Sequence, residues 1–150
     1  EYHPHALAAA VDLAVTLRLQ GDVVGARDID ERAFEHFRAG IGPDHPYAIV
    51  ATINLASDLS ALGEVGRAIE LGRDALERGR RVLGEDHPTV LAAAFNLGLD
   101  LVAAGHADEA EPYRDPILAK YRRVLGEAHP GTQAAGRDAR ADCDIDPILM

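Results

Sequence analysis

The chain has 150 residues, a formal charge of −10 from 15 basic against 25 acidic side chains, and 47% hydrophobic residues without a single Trp. That length is one domain's worth, and an acidic chain is repelled by phosphate backbones, which excludes nucleic acid as a ligand class. No run approaches the roughly 18 apolar residues of a membrane span, and no signal-peptide pattern opens the chain. The sole cysteine, Cys143, has no internal partner for a disulfide, so a reducing cytoplasm is the expected compartment.

Organisation along the chain is periodic. His-Pro occurs at His3-Pro4, His45-Pro46, His87-Pro88 and His129-Pro130, each 42 residues after the last. The same step superimposes Gly42, Gly84 and Gly126, then Gly21, Gly63 and Gly105, then Ala26, Ala68 and Ala110, and also Leu17, Leu59 and Leu101. A fixed period of this size marks an array of supersecondary units that complete one another's core. With 27 alanines and no alternating apolar pattern, the units are helical.

Taken in order, the pattern predicts helix pairs near 4–20/23–39, 46–62/65–82 and 88–104/107–124, then a lone capping helix near 130–142. Proline suits a first helical turn because its missing N–H has no intrahelical partner there, so Pro46 and Pro88 open helices with His45 and His87 at the N-cap. From Pro46, the positions Ile49, Ile53, Ala56, Leu59 and Ala61 or Leu62 form an apolar stripe, which Gly63 ends. In the next helix, Ala68, Leu71, Ala75, Leu76 and Val82 are the buried candidates, and Gly84 is the stop. Ala14, Ala56 and Gly98, facing Ala26, Ala68 and Ala110, let paired helices approach closely. Pro116 breaks the bonding of segment 107–124, which should kink or begin late, whereas Pro112 is nearer the start and easier to accommodate.

Several chemistries fall away on geometry. Repeated histidines one hairpin apart are separated by about 8–10 Å, whereas zinc holds its ligands at about 2.0–2.3 Å, so no metal or other cofactor is expected. Asp44-His45 and Asp86-His87 resemble dyads, but no nucleophile with an orienting group accompanies them, and both serines lie on one helix; the chain is not expected to be an enzyme. Arg78, Arg80 and Arg81, with Arg122 and Arg123, sit near helix ends, where they complement the helix dipole.

The strings GPDHPYAIVATINLASDLSALGEVGRAIELGRDALERGRRVLG and GEDHPTVLAAAFNLGLDLVAAGHADEAEPYRDPILAKYRRVLG resemble the 42-residue tetratricopeptide repeats of kinesin light chain, and the resemblance covers residues 1 to about 141. It implies an all-α, right-handed superhelix of three hairpins and a capping helix, with first helices lining a concave groove. It also implies that Asn54 and Asn96 bond the backbone of a bound peptide, a task suited to an amide that both donates and accepts. Asp12 and Asp138 occupy that column in the first and last repeats. Flanking groove positions are Val11, Val15 and Arg18, then Ile53, Ser57 and Ser60, then Phe95, Leu99 and Val102. Only Arg18 and Arg137 fall near the groove, which disfavours a ligand held by its carboxylates. The same asparagines could instead tie one helix to another inside the scaffold, since packed polar groups find internal partners.

The sequence thus points to a protein-protein interaction module that binds an extended peptide or partner domain on its concave face. The alternative is a structural oligomerisation element that self-associates with no separate ligand. The expected division is a repeat domain over 1–142 (repeats about 1–42, 43–84 and 85–126, then a partial one at 127–142) and an extended tail over 143–150. One lysine against fourteen arginines points to a GC-rich bacterial genome, and similar arrays occur at the C-terminal ends of large bacterial, notably actinobacterial, regulatory proteins. A start at Glu1 with the sole methionine at Met150 reads as the C-terminal part of such a protein. The apolar strip of Ile145, Pro147, Ile148, Leu149 and Met150 either docks on the repeats or a neighbouring copy, or frays.

Overall fold

Among the described residues, the histidine of each His-Pro pair caps the helix that the proline opens. Nδ1 of His45 accepts the N–H of Tyr47 at 3.1 Å, that of His87 the N–H of Thr89 at 3.2 Å, and that of His129 the N–H of Gly131 at 3.0 Å. An accepting Nδ1 places the ring proton on Nε2, and the intervening proline has no N–H to satisfy. The computed structural model describes residues 4–143, with side chains from residue 6 onward, so His3 and the strip Ile145–Met150 lie outside the described residues.

The helices are α1 (Pro4–Leu19), α2 (Val23–Gly40), α3 (Pro46–Ala61), α4 (Val65–Leu83), α5 (Pro88–Ala103), α6 (Ala107–Ala110), α7 (Asp115–Leu125) and α8 (Pro130–Ala135). Gly63 shows how the hairpins turn. At φ +84 it lets the N–H of Glu64 reach back to the Leu59 carbonyl at 2.8 Å, closing the end of α3.

Each first helix packs on the second helix of its own hairpin, α3 and α5 pack also on that of the hairpin before, and α1, α3 and α5 touch in an inner layer. α3 sits at the centre, and every residue from Tyr47 to Leu59 is buried. A helix walled on all sides must be apolar around most of its circumference, and burying one such leucine, Leu59, contributes about 2 kcal/mol. Ala56 and Ala68 share a cluster with Leu55 and Leu59, the close approach that small residues permit. Val82, expected inside, is exposed; Leu83 packs on the core instead.

The third hairpin departs from the others at its second helix. α6 lasts one turn, a tight turn at Glu111–Tyr113 follows, and α7 restarts at Asp115 with Pro116 in its first turn. The break is the expected late start: Arg114 takes φ −105, ψ −102, outside the helical region, because Pro116 offers no N–H and its ring would meet the carbonyl of Pro112. Pro112 itself falls within the tight turn. This kink drives Tyr113 against Gly98, where an added Cβ would lie 2.9 Å from the Tyr113 Cβ and 3.0 Å from its carbonyl oxygen.

The capping helix is shorter than the 130–142 expected. α8 packs on α7 and stops at Ala135. The Ala139 N–H then bonds the Ala134 carbonyl at 2.9 Å around Asp138, which adopts a positive φ of 56 that aspartate tolerates. From Ala139 to Cys143 no helix resumes. The chain doubles back along the inner layer.

Candidate functional site

The returning segment lies on the concave face, and its backbone is held by the two repeated asparagines. Nδ2 of Asn96 donates to the Ala141 carbonyl at 2.9 Å, and Oδ1 of the same amide accepts the Ala141 N–H at 2.9 Å. One repeat earlier, Nδ2 of Asn54 donates to the Cys143 carbonyl at 2.7 Å. Equivalent side chains on α5 and α3 therefore grip residues two apart, the period of an extended chain.

Charge is arranged beside this track. Arg140 reaches Asp100 with two nitrogens, Nη1 to Oδ1 at 2.6 Å and Nη2 to Oδ2 at 2.9 Å, while its Nη1 also meets Ser60 at 3.0 Å and its Nε meets Ser57 at 3.3 Å. One repeat earlier, Arg18 on α1 donates to Asp58 at 2.6 Å and to Asp142 of the segment at 2.8 Å. Burial works against the Arg18 charge, but the bonds to Asp142 and Asp58 outweigh it and hold the guanidinium more firmly protonated. Behind them Asp30 is fully buried on α2. Burial, reinforced by the neighbouring Asp58, pushes its carboxyl up to about 9, so Asp30 is neutral. Burial also raises Asp58, but its bond to Arg18 opposes this, and Asp58 carries the charge of the pair.

Of the residues expected in the groove, Asn54, Asn96, Ser57 and Arg18 meet around the segment. Ile53 and Phe95 are 2% and 1% exposed, and the Phe95 ring faces Tyr121 and lies beneath Arg114, so both belong to the core. Leu99 is half-buried against that core. Asp12 is half-buried on α1, its carbonyl accepting from Thr16. Asp138 lies in the turn after α8, paired with Arg114. Beside Arg18, it is Arg140 and not Arg137 that reaches the groove; Arg137 is exposed.

Asp58, Asp100 and Asp30 went unnoticed in the sequence, although Asp58 and Asp100 recur at the repeat spacing, one helical turn after each asparagine. Two acids on otherwise apolar helices were the available signal. The Asp-His pairs are structural: Asp44 binds Arg78 at 2.7 Å and also Arg81, and Asp86 binds Arg123 at 2.8 Å. The basic clusters at the helix ends thus have carboxylate partners in the neighbouring turns. Among the described residues, no group of three or more His, Cys, Asp or Glu is placed to hold a metal ion, and no helix is long and apolar enough to cross a membrane.

Stacked helical hairpins with a polar track along the inner layer define an α-solenoid of two-helix repeats with a concave inner face. The chain belongs to the tetratricopeptide repeat family, whose profile matches residues 5–80 and again 49–115. A crystal structure of a Podospora anserina kinesin light chain-type protein with nearly identical TPR-like repeats superposes with a TM-score of 0.79 at 25% identity, covering 90% of this chain and 64% of that one. BtubC (BKLC) of P. vanneervenii superposes with a TM-score of 0.76 at 21% identity, over 92% of this chain and 56% of that one. The chain thus spans less than two thirds of the length of either structure. No curated protein sequence matches it.

Proposed function

We propose that the protein is a non-catalytic interaction module that holds an extended polypeptide along its concave face, with Asn54 and Asn96 gripping the backbone. Tetratricopeptide repeats mediate protein-protein interaction, and the ligand here is a peptide or a neighbouring domain of a larger regulatory protein. One observation carries the reading: Asn96 exchanges two hydrogen bonds with a single backbone residue, Ala141, and Asn54 continues the track to Cys143. An amide that pairs with both groups of a peptide unit recognises backbone, whatever the sequence.

The test is selection of short random peptides on the Ala141→Pro chain, which lacks the N–H given to Asn96, so that the internal segment does not mask the result. Selected peptides should lose up to about tenfold in affinity when Asn54 or Asn96 is changed to alanine, the worth of one net hydrogen bond. Peptides that bind both alanine variants with unchanged affinity would refute the groove as the site.

A further inference from the structure

The two buried acids of the groove are satisfied differently. Asp58 is met by Arg18, 40 positions earlier on the preceding first helix. Asp100 is met at the same separation by Ser60, whose hydroxyl donates at 2.6 Å but carries no charge. Among the described residues, the cation paired with Asp100 is Arg140, from the returning segment. The array therefore leaves one carboxylate, 2% exposed on its side chain, to be neutralised by whatever occupies the groove.

We propose that the concave face selects an extended segment bearing an arginine, with a carboxylate two residues later, and that Arg140–Cys143 holds this site as an exchangeable internal occupant. This rests on the groove reading above and adds the chemistry of the ligand. Arginine is specified over lysine because a fork is used: two nitrogens on Asp100, with Ser57 and Ser60 accepting from the same group. The carboxylate follows from Asp142 on Arg18. Direction is fixed as well, since Ala141 lies on the third hairpin's asparagine and Cys143 on the second's, so the ligand runs from the third hairpin towards the first. The other two residues of the segment are small, Ala141 and Cys143. A segment tethered a few residues beyond α8 competes at an effective concentration on the order of millimolar, so an external ligand meets an occupied groove.

The probe is a fluorescein-labelled synthetic peptide of residues 138–146 with Cys143→Ser, added to the full-length chain, with thiol labelling of Cys143 as a second readout. Changing Arg140→Ala in the chain should tighten peptide binding at least about tenfold relative to wild type. Alanine in place of the peptide's arginine should weaken binding to that opened chain at least about tenfold, lysine by less. Asp100→Asn in the opened chain should erase the difference between these peptides. Saturating peptide should also accelerate Cys143 labelling in the wild-type chain. If Arg140→Ala fails to fold, Ala141→Pro opens the groove without touching Asp100 and carries the same comparison. Equal binding of the arginine and alanine peptides would overturn the ligand chemistry while leaving the asparagine track standing. Binding that leaves Cys143 labelling unchanged would overturn the exchange. Absence of binding to either folded, opened chain would overturn both, and the dependence of selected peptides on Asn54 and Asn96 then decides the groove reading separately.

Discussion

Changing Asn96→Ala should release the returning segment without unfolding the repeats, and Cys143 reports the release. The asparagine exchanges two hydrogen bonds with Ala141, each worth about 0.5–1.5 kcal/mol net, so the segment should lose about 1–3 kcal/mol of its hold. Once the segment lifts off, the freed backbone groups regain water, and the loss enters as a change in the opening equilibrium. At a factor of ten per 1.4 kcal/mol, the open population rises about 5- to 150-fold. Cys143 is 7% exposed when the segment is docked, so a thiol reagent such as DTNB reaches it from the open state and its labelling rate scales by the same factor. Asn54→Ala removes one bond, to Cys143, and should accelerate labelling about 2- to 12-fold. Helicity by circular dichroism should barely change in either variant. A labelling rate within about twofold of wild type in Asn96→Ala, accompanied by a lowered melting temperature, would refute the reasoning and make the asparagine a scaffold residue.

Three further outcomes follow from the core. Asp30, raised from 3.8 to about 9, keeps in the fold a proton that the unfolded chain releases; its stabilising contribution is complete at acid pH and is lost as the pH climbs towards 9. Urea unfolding between pH 6 and 8 should therefore show stability falling by up to about 1.4 kcal/mol per pH unit, and Asp30→Asn, neutral throughout, should flatten that slope. Gly98→Ala places a methyl against Tyr113 and should cost about 1 kcal/mol despite alanine's better helix propensity, whereas Gly66→Ala, which meets open space, should gain a few tenths, up to about 1 kcal/mol; thermal melts of the pair give the sign of each. His45→Ala removes the acceptor that caps α3 and should lower stability by about 1 kcal/mol, with His45→Asn restoring most of it in the same melts.

The repeat spacing made the helix starts and stops legible because caps are local: a histidine, a proline and a glycine determine them within a few residues. The kink at Pro116 was legible for the same reason. What escaped depended on contacts distant in sequence. The segment after Ala135 has the alanine and arginine content of a helix, yet Gly136 weakens it, and the extended alternative gains the bonds to Asn96, Asn54 and Asp100. Local pattern cannot weigh that competition. Phe95 and Ile53 share the asparagines' helices and so seemed to line the same face, but a buried inner helix presents apolar residues on every side, and periodicity does not tell the groove from the core. Asp58 and Asp100 align with the repeat, but the sequence does not show that an acid on a helix is buried, and here the surrounding helices leave them no solvent to face.

The column formed by Arg18, Ser60 and Val102 gives the array a simple vocabulary. At its first position the scaffold writes its own counter-charge to the acid that follows; at its second it leaves a blank, which Arg140 fills. Replacing Ser60 with arginine would complete the sentence internally and remove the demand for a ligand arginine, while leaving the backbone track unaltered. Specificity and grip are thus encoded on successive turns of the same helical face, so repeats of this kind can be re-lettered one residue at a time without redesigning the fold that carries them.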